Sequence, residues 1–213
     1  MRLFWNLLLL MPLIVSCKLY TEDELVVDLT KGKEFSYGDL YKDENGNTGI
    51  VIKIQKETSK GVASVTRIVI MSTDQTQCEW GRCDSLFNHR EEQHLSTWRY
   101  RDALFSCQMA VEIGLDHYPA IKWCYQKNHK SKQDVPEMGD WVLPGRYELE
   151  TLNYEWINST LRTHGFPTTE GLLWSADSFS STEAYACSQS NITPVLKSTV
   201  LHVRAIKYIY FKE

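Results

Sequence analysis

Apolar and polar residues alternate along this chain in runs whose period changes several times. The first run is unbroken: Leu3 to Val15 is apolar except for Asn6 and Pro12. It is too short for a stable membrane-spanning helix, which needs roughly 20 apolar residues. Residues 18–34 (KLYTEDELVVDLTKGKE) are mostly polar and read as a tether. FSYGDLY, residues 35–41, opens a strand, and KDENGNTG behind it is a turn centred on Asn45-Gly46, a pair that tolerates positive φ. In GIVIKIQKE, Ile50, Ile52 and Ile54 alternate with Val51, Lys53 and Gln55, a period of two that predicts a strand. GVASVTRIVIMS is rich in β-branched residues, with Ile68 and Ile70 on one face. The two runs most simply pair antiparallel.

Residues 72–98 show no period and predict a long loop that carries Trp80 and Trp98. From Arg99 to Gly114 the spacing of Leu104, Cys107 and Val111 predicts a helix. A second helix opens at Pro119, a residue suited to a first helical turn, with Ala120, Trp123 and Cys124 on one face. Pro144 ends a short extended piece. Leu149, Leu152 and Trp156 then form a rough helical stripe that Gly165 closes as a C-cap. GLLWSADSFSSTEAYAC predicts two short strands around a serine-rich turn. In the closing STVLHVRAIKYIYF, Leu201, Val203 and Ala205 alternate with His202 and Arg204, while Ile206 falls on the polar face. So many apolar residues predict a last strand packed centrally in its sheet.

The N-terminal run gains meaning from its flanks. Met1-Arg2 supplies a basic start, the apolar middle follows, and Ser16 is a small residue before a cut. Ile14-Val15-Ser16-Cys17 resembles the bacterial lipobox. That resemblance implies cleavage before Cys17, diacylation of its thiol and acylation of the new amino group. Each buried CH₂ contributes about 0.8 kcal/mol, and stable anchoring takes more than one chain. The expected organisation is a lipoprotein signal peptide at 1–16, a tether at 17–34 and one folded domain at 35–213. Glu22-Asp23-Glu24 reads either as a sorting signal for the outer surface or as a solvated spacer.

Composition narrows the partners. The chain is 43% hydrophobic and 12% aromatic, enough for a sizeable core, and its net charge is −4. No basic patch interleaved with aromatics is visible, which argues against nucleic acid. Five cysteines follow Cys17: Cys78, Cys83, Cys107, Cys124 and Cys187. Export would place them where disulfides form, and an odd number leaves one over. Cys78 and Cys83 flank Glu-Trp-Gly-Arg and are the first candidate bridge. Cys124 with Cys187, or Cys107 with Cys124, are the second.

Five blocks taken in order resemble one family. YGDLYKDENGNTGIVIKI, YPAIKWC, GDWVLPGRYEL, LLWSADSFSS and VRAIKYI, spread over residues 36–208, are similar to the Legionella collagen-like C-terminal domain. That domain occurs in Bacteroidetes lipoproteins and is related to the Fibrobacter major paralogous domain. The resemblance implies an α+β fold like that of C-type lectins: a twisted antiparallel sheet, two or three helices and long loops. This chain departs from the family pattern in three places. Val142 stands where the family has arginine, Gly145 where it has a capping threonine, and Ala176 closes the Trp174-Ser175 block. Glycine is the weaker cap.

The chemistry-bearing residues are scattered. Trp141, ahead of Leu-Pro and a helix, reads as a core plug. Cys78, Cys83, His89 and His94 are zinc-ligand types, but the short gap before His89 is unlike a finger. HREEQH is not a zinc-protease motif, and Glu91-Glu92 reads as a solvated pair. There is no nucleophile elbow, so Ser175, Ser178, Ser180 and Ser181 read as turn residues. The tripeptides by which related lectins bind calcium and sugar do not occur. Asn158 and Asn191 sit in glycosylation sequons that a bacterial lipoprotein would not use. The expectation is a protein without cofactor, metal or catalysis, held to the cell envelope, as an outer-membrane lipoprotein, through Cys17. It would bind a glycan or protein ligand, with Trp80 and Trp98 either exposed on their loop as candidate platforms or covering the core. The other class is a structural subunit of a surface fibre or envelope complex, which an open strand edge would mark.

Overall fold

The computed structural model describes residues 35–57, 65–82, 99–129, 134, 136–137, 139–189 and 191–212. Cys17, Cys83, Trp98 and the histidines at 89 and 94 therefore lie outside the described residues. The fold is α+β with a curled antiparallel sheet and long connections, but its strands divide between two sheets.

The first sheet has the order β1 (Leu40–Lys42), β2 (Thr48–Glu57), β3 (Val65–Ser72), β9 (Ile206–Lys212), all antiparallel. The β1–β2 turn forms as the Asn-Gly pair predicts. Gly46 sits at φ +81°, and the Asp43 carboxylate accepts the Asn45 and Asn47 backbone N–H groups. The β2–β3 pairing is the predicted one, with a bulge between Val51 and Lys53. That bulge overturns the strict alternation of Ile50, Ile52 and Ile54. Ile50 pairs with Met71 and Ile54 with Ile68, positions an odd number apart on β3, so the two isoleucines lie on opposite faces. The same bulge places Lys53 and Gln55 on the face of Ile50.

The second sheet has the order β4 (Thr76–Cys78), β8 (Leu201–Val203), β5 (Leu173–Ser178), β6 (Glu183–Ser188), β7 (Asn191–Leu196). Strands β5 and β8 run parallel; the other pairs are antiparallel. Strands β4 and β7 are additions to the expected set, because three-residue and proline-bearing strands give no period to read. Pro194 sits in the middle of β7 opposite Tyr185. Lacking an N–H, it turns its nitrogen to the outer side, which blunts this edge against a further strand.

The closing run is two strands rather than one. β8 belongs to the second sheet and β9 to the first, with Arg204 and Ala205 crossing between them. This explains why Ile206 broke the alternation. β9 also ends its sheet instead of lying centrally; beyond it, among the described residues, only Val142 pairs, exchanging two 2.9 Å bonds with Ile206. Arg204, expected on a polar face, is fully buried. Its guanidinium donates to the carbonyls of Ser72, Thr73 and Pro167 and to Thr169 Oγ1, tying the β3–β4 connection and the connection that enters β5 to the crossing. Burial pulls it down to about 10, which leaves it charged at neutral pH.

Helix α1 (Arg99–Ile113) buries Leu104, Cys107 and Ala110, and α2 (Pro119–Gln126) starts at the proline as predicted. The predicted helical stripe is split into α3 (Arg146–Glu150) and α4 (Tyr154–Thr163). Asn153 between them caps α4 by accepting the Trp156 N–H at 3.1 Å. Gly165, at φ +76°, closes α4 in a Schellman arrangement: Phe166 N–H reaches Leu161 O and Gly165 N–H reaches Arg162 O.

Candidate functional site

The concave feature that gathers polar side chains lies between the first sheet and α3. Lys53 and Gln55 of β2, Arg67 and Val69 of β3, and Tyr208 of β9 form its floor. Tyr147, Glu148, Thr151 and Leu152 form its wall. The floor follows from register. Lys53 pairs with Val69 and Val69 with Tyr208, while Gln55 pairs with Arg67. Along this face Ile50, Met71 and Ile206 are buried at one end, and Gln55 and Arg67 lie half-exposed at the other. One sheet face thus runs from dry core to polar groove.

The wall is held by bonds from outside its own helix. Gly145 caps α3 without a side chain, yet the Asp177 carboxylate on β5 accepts the Arg146 N–H at 2.5 Å. This supplies what the expected threonine would have given. A Cβ on Gly145 would meet Glu148 Oε2 at 2.5 Å, so glycine makes room for that carboxylate. Glu148 Oε1 accepts the Tyr208 hydroxyl at 3.0 Å, locking wall to floor. Lys53 reaches Thr151 Oγ1 at 3.4 Å, Arg67 donates to Gln55, and the Arg67 guanidinium lies 5.7 Å from the Tyr208 ring.

An aromatic ladder leaves the groove at Tyr147. The Arg146 guanidinium lies between the Tyr147 and Tyr185 rings, at 4.6 and 4.8 Å, and donates to the Tyr147 hydroxyl. Burial works against its charge, but Tyr147, Asp177 and Tyr185 outweigh that and hold it above its usual range. Phe179, 50% exposed, stands edge-on to Tyr185 at 5.4 Å.

Of the two readings of Trp80, an exposed platform or cover for the core, the structure has the second: this residue is fully buried and is no platform. Its ring N–H donates to Ser175 O at 2.7 Å, Tyr118 packs edge-on at 5.8 Å, and the Lys197 ammonium lies 4.6 Å from the ring. A loop residue with so large an apolar area goes inside when a polar partner for its N–H waits there. Trp141 is the core plug its motif implied, fully buried with its N–H on Asp43 Oδ2 at 2.7 Å. Ser175 is no turn residue but a buried position of β5. Asn158 is spent internally, bonding the N–H and carbonyl of Thr169.

Cys78, Cys107, Cys124 and Cys187 carry free thiols, so bridges from Cys124 to Cys107 or Cys187 are not formed. Burial, with the charges of Asp177 and Glu150, pushes Cys187 up to about 12; Cys124, also raised by burial, is influenced by Cys107 and Cys78 instead. Among the described residues no group of three or more acidic, histidine or cysteine side chains could hold a metal, and no helix is long and apolar enough to cross a membrane.

The groove residues escaped sequence reading because they are single polar positions within apolar strands. The available signal was Lys53 and Arg67 interrupting IVIKI and VTRIVI. No family model and no curated protein matches this chain. Among solved structures, a fimbrial protein from Bacteroides ovatus is similar over 65% of this chain at 9% identity, with a TM-score of 0.47. This chain spans only 35% of that protein, and a likeness at this level transfers no function.

Proposed function

We propose that the chain is a lipid-anchored cell-envelope protein whose folded part is a non-catalytic binding module for a glycan or protein ligand. The groove carries this reading: charged, hydroxyl, amide and aromatic side chains line one concavity braced by the Glu148–Tyr208 bond. The leader and Cys17 support the anchoring, and the block resemblance to a lipoprotein domain agrees with it. A fibre subunit would offer a long open strand edge, and Pro194 on β7 counts against that edge.

Two measurements test the reading. In bacteria that acylate lipoproteins, the full chain partitions with membranes and Cys17→Ser moves it to the soluble fraction. The purified full chain, held in detergent, captures a component from envelope extracts, and Tyr147→Ala with Thr151→Ala abolishes the capture. Equal membrane retention would remove the anchor; equal capture would remove the groove.

A further inference from the structure

We propose that the groove and the aromatic ladder together hold a neutral oligosaccharide, lying from the sheet floor past Tyr147 to Phe179. The inference rests on the binding reading above and names its ligand class.

The charges around the concavity are engaged within the protein. Glu148 accepts from the Tyr208 hydroxyl, Lys53 reaches Thr151, and Arg67 is held by Gln55 beside the Tyr208 ring. Lys53, Arg67 and Glu148 each have further partners. The Arg146 guanidinium is sandwiched between two rings and donates to the Tyr147 hydroxyl. A charged ligand would have to break such contacts to make its own, so the exchange leaves little net gain. Two neutral groups, by contrast, have no partner among the described residues: the side-chain N–H₂ of Gln55 on the floor and the Tyr185 hydroxyl on the ladder. Both residues are half-buried, and both groups suit a sugar hydroxyl.

The rings supply the apolar part of the site. Tyr147 and Tyr185 are half-exposed and Phe179 is 50% exposed. They follow one another from the groove outward, with Arg146 between the tyrosines and Phe179 5.4 Å from Tyr185. A row of rings with polar atoms beside it matches a chain of pyranose units, which pack C–H faces on aromatics and turn hydroxyls to the sides. The floor argues against an extended peptide. β2, β3 and β9 spend their backbone groups on one another, so a ligand lying on them meets side chains and gains no strand pairing.

The test titrates the full chain, in a detergent without a sugar headgroup, with cellohexaose, mannohexaose and isomaltohexaose. Hexagalacturonate and poly-glutamate are the charged controls. At least one neutral hexasaccharide binds, about tenfold or more tighter than its own disaccharide and than either control. High salt leaves that affinity unchanged. Phe179→Ala weakens it about tenfold or more, Phe179→Tyr keeps it, and Gln55→Leu lowers it. Phe105→Ala, which removes an exposed ring on α1, changes nothing. Thermal unfolding shows whether each variant is folded, and Phe179→Tyr separates a lost stacking surface from a damaged turn. Binding of none of the three neutral sugars, tighter binding of a charged control, wild-type affinity in Phe179→Ala, or equal losses in Phe179→Ala and Phe179→Tyr overturns the proposal. The binding-module reading stands or falls separately, on the capture experiment: capture of an envelope component without neutral-sugar binding keeps that reading and removes this one.

Discussion

Two fully buried tryptophans, one against each sheet, are stabilised differently. Trp141 sits against the first sheet and gives its N–H to a carboxylate, Asp43 Oδ2, at 2.7 Å. Trp80 sits against the second and gives its N–H to a neutral carbonyl, Ser175 O, also at 2.7 Å. Each has a lysine over its ring, Lys207 at 5.8 Å and Lys197 at 4.6 Å. Asp43 meanwhile receives two backbone N–H groups of its own turn and the Asn47 amide, and Lys207 Nζ lies 3.7 Å from it. One tryptophan is thus tied to an ionised hub that joins turn, core and last strand. The other gives its N–H to a neutral carbonyl and has its charged neighbour, Lys197, over the ring face instead. At equal distance, a hydrogen bond to an ion is roughly twice as strong as one between neutral groups, and the bond to Asp43 answers to acid.

The sharpest way to break this comparison is to remove the hub. Asp43→Ala leaves the Trp141 N–H, the Asn47 amide and two turn N–H groups without their acceptor. It is expected to cost about 3–5 kcal/mol in urea unfolding. Removing one indole N–H from each side comes next. Trp141→Phe should cost about 2 kcal/mol and Trp80→Phe about 1 kcal/mol beyond the packing loss common to both. Equal costs would show that the carboxylate adds nothing.

Acid provides a gentler separation. Burial raises Asp43, but the bonds from Trp141 and Asn47, together with Lys207, outweigh it and hold the carboxyl below its usual value. A group depressed on folding contributes stability in full above its unfolded value of about 3.9, and loses it as pH falls toward the lower folded value. Urea midpoints at pH 6 and pH 3 should therefore differ more in the wild type than in Asp43→Asn, with Trp80→Phe keeping the wild-type difference.

The groove and the core differ in how visible they were in the sequence. Asn45-Gly46, Pro119 and Gly165 act through their own backbone conformations, so turn, helix start and helix stop were legible at once. The β2–β3 pairing was legible because both runs are rich in β-branched residues. Lys53 and Arg67 each looked like an ordinary solvent-facing residue; only the bulge and the strand register bring them onto one floor. Trp80 was ambiguous for the same reason, since its loop carries no period and the carbonyl that receives its N–H lies 95 residues away.

The amino-acid order by itself determined most of the strands and helices, the short apolar run from Leu3 to Val15 and the buried role of Trp141. These follow from local conformational preference and from apolar area, which each residue carries wherever it stands. Tertiary structure decided the division into two sheets at Arg204-Ala205, the cap that Asp177 lends to α3, the burial of Trp80 and Arg204, and the polar groove. Each depends on partners distant in sequence, and pairing energies of that kind exist only once the chain has closed the loops between them.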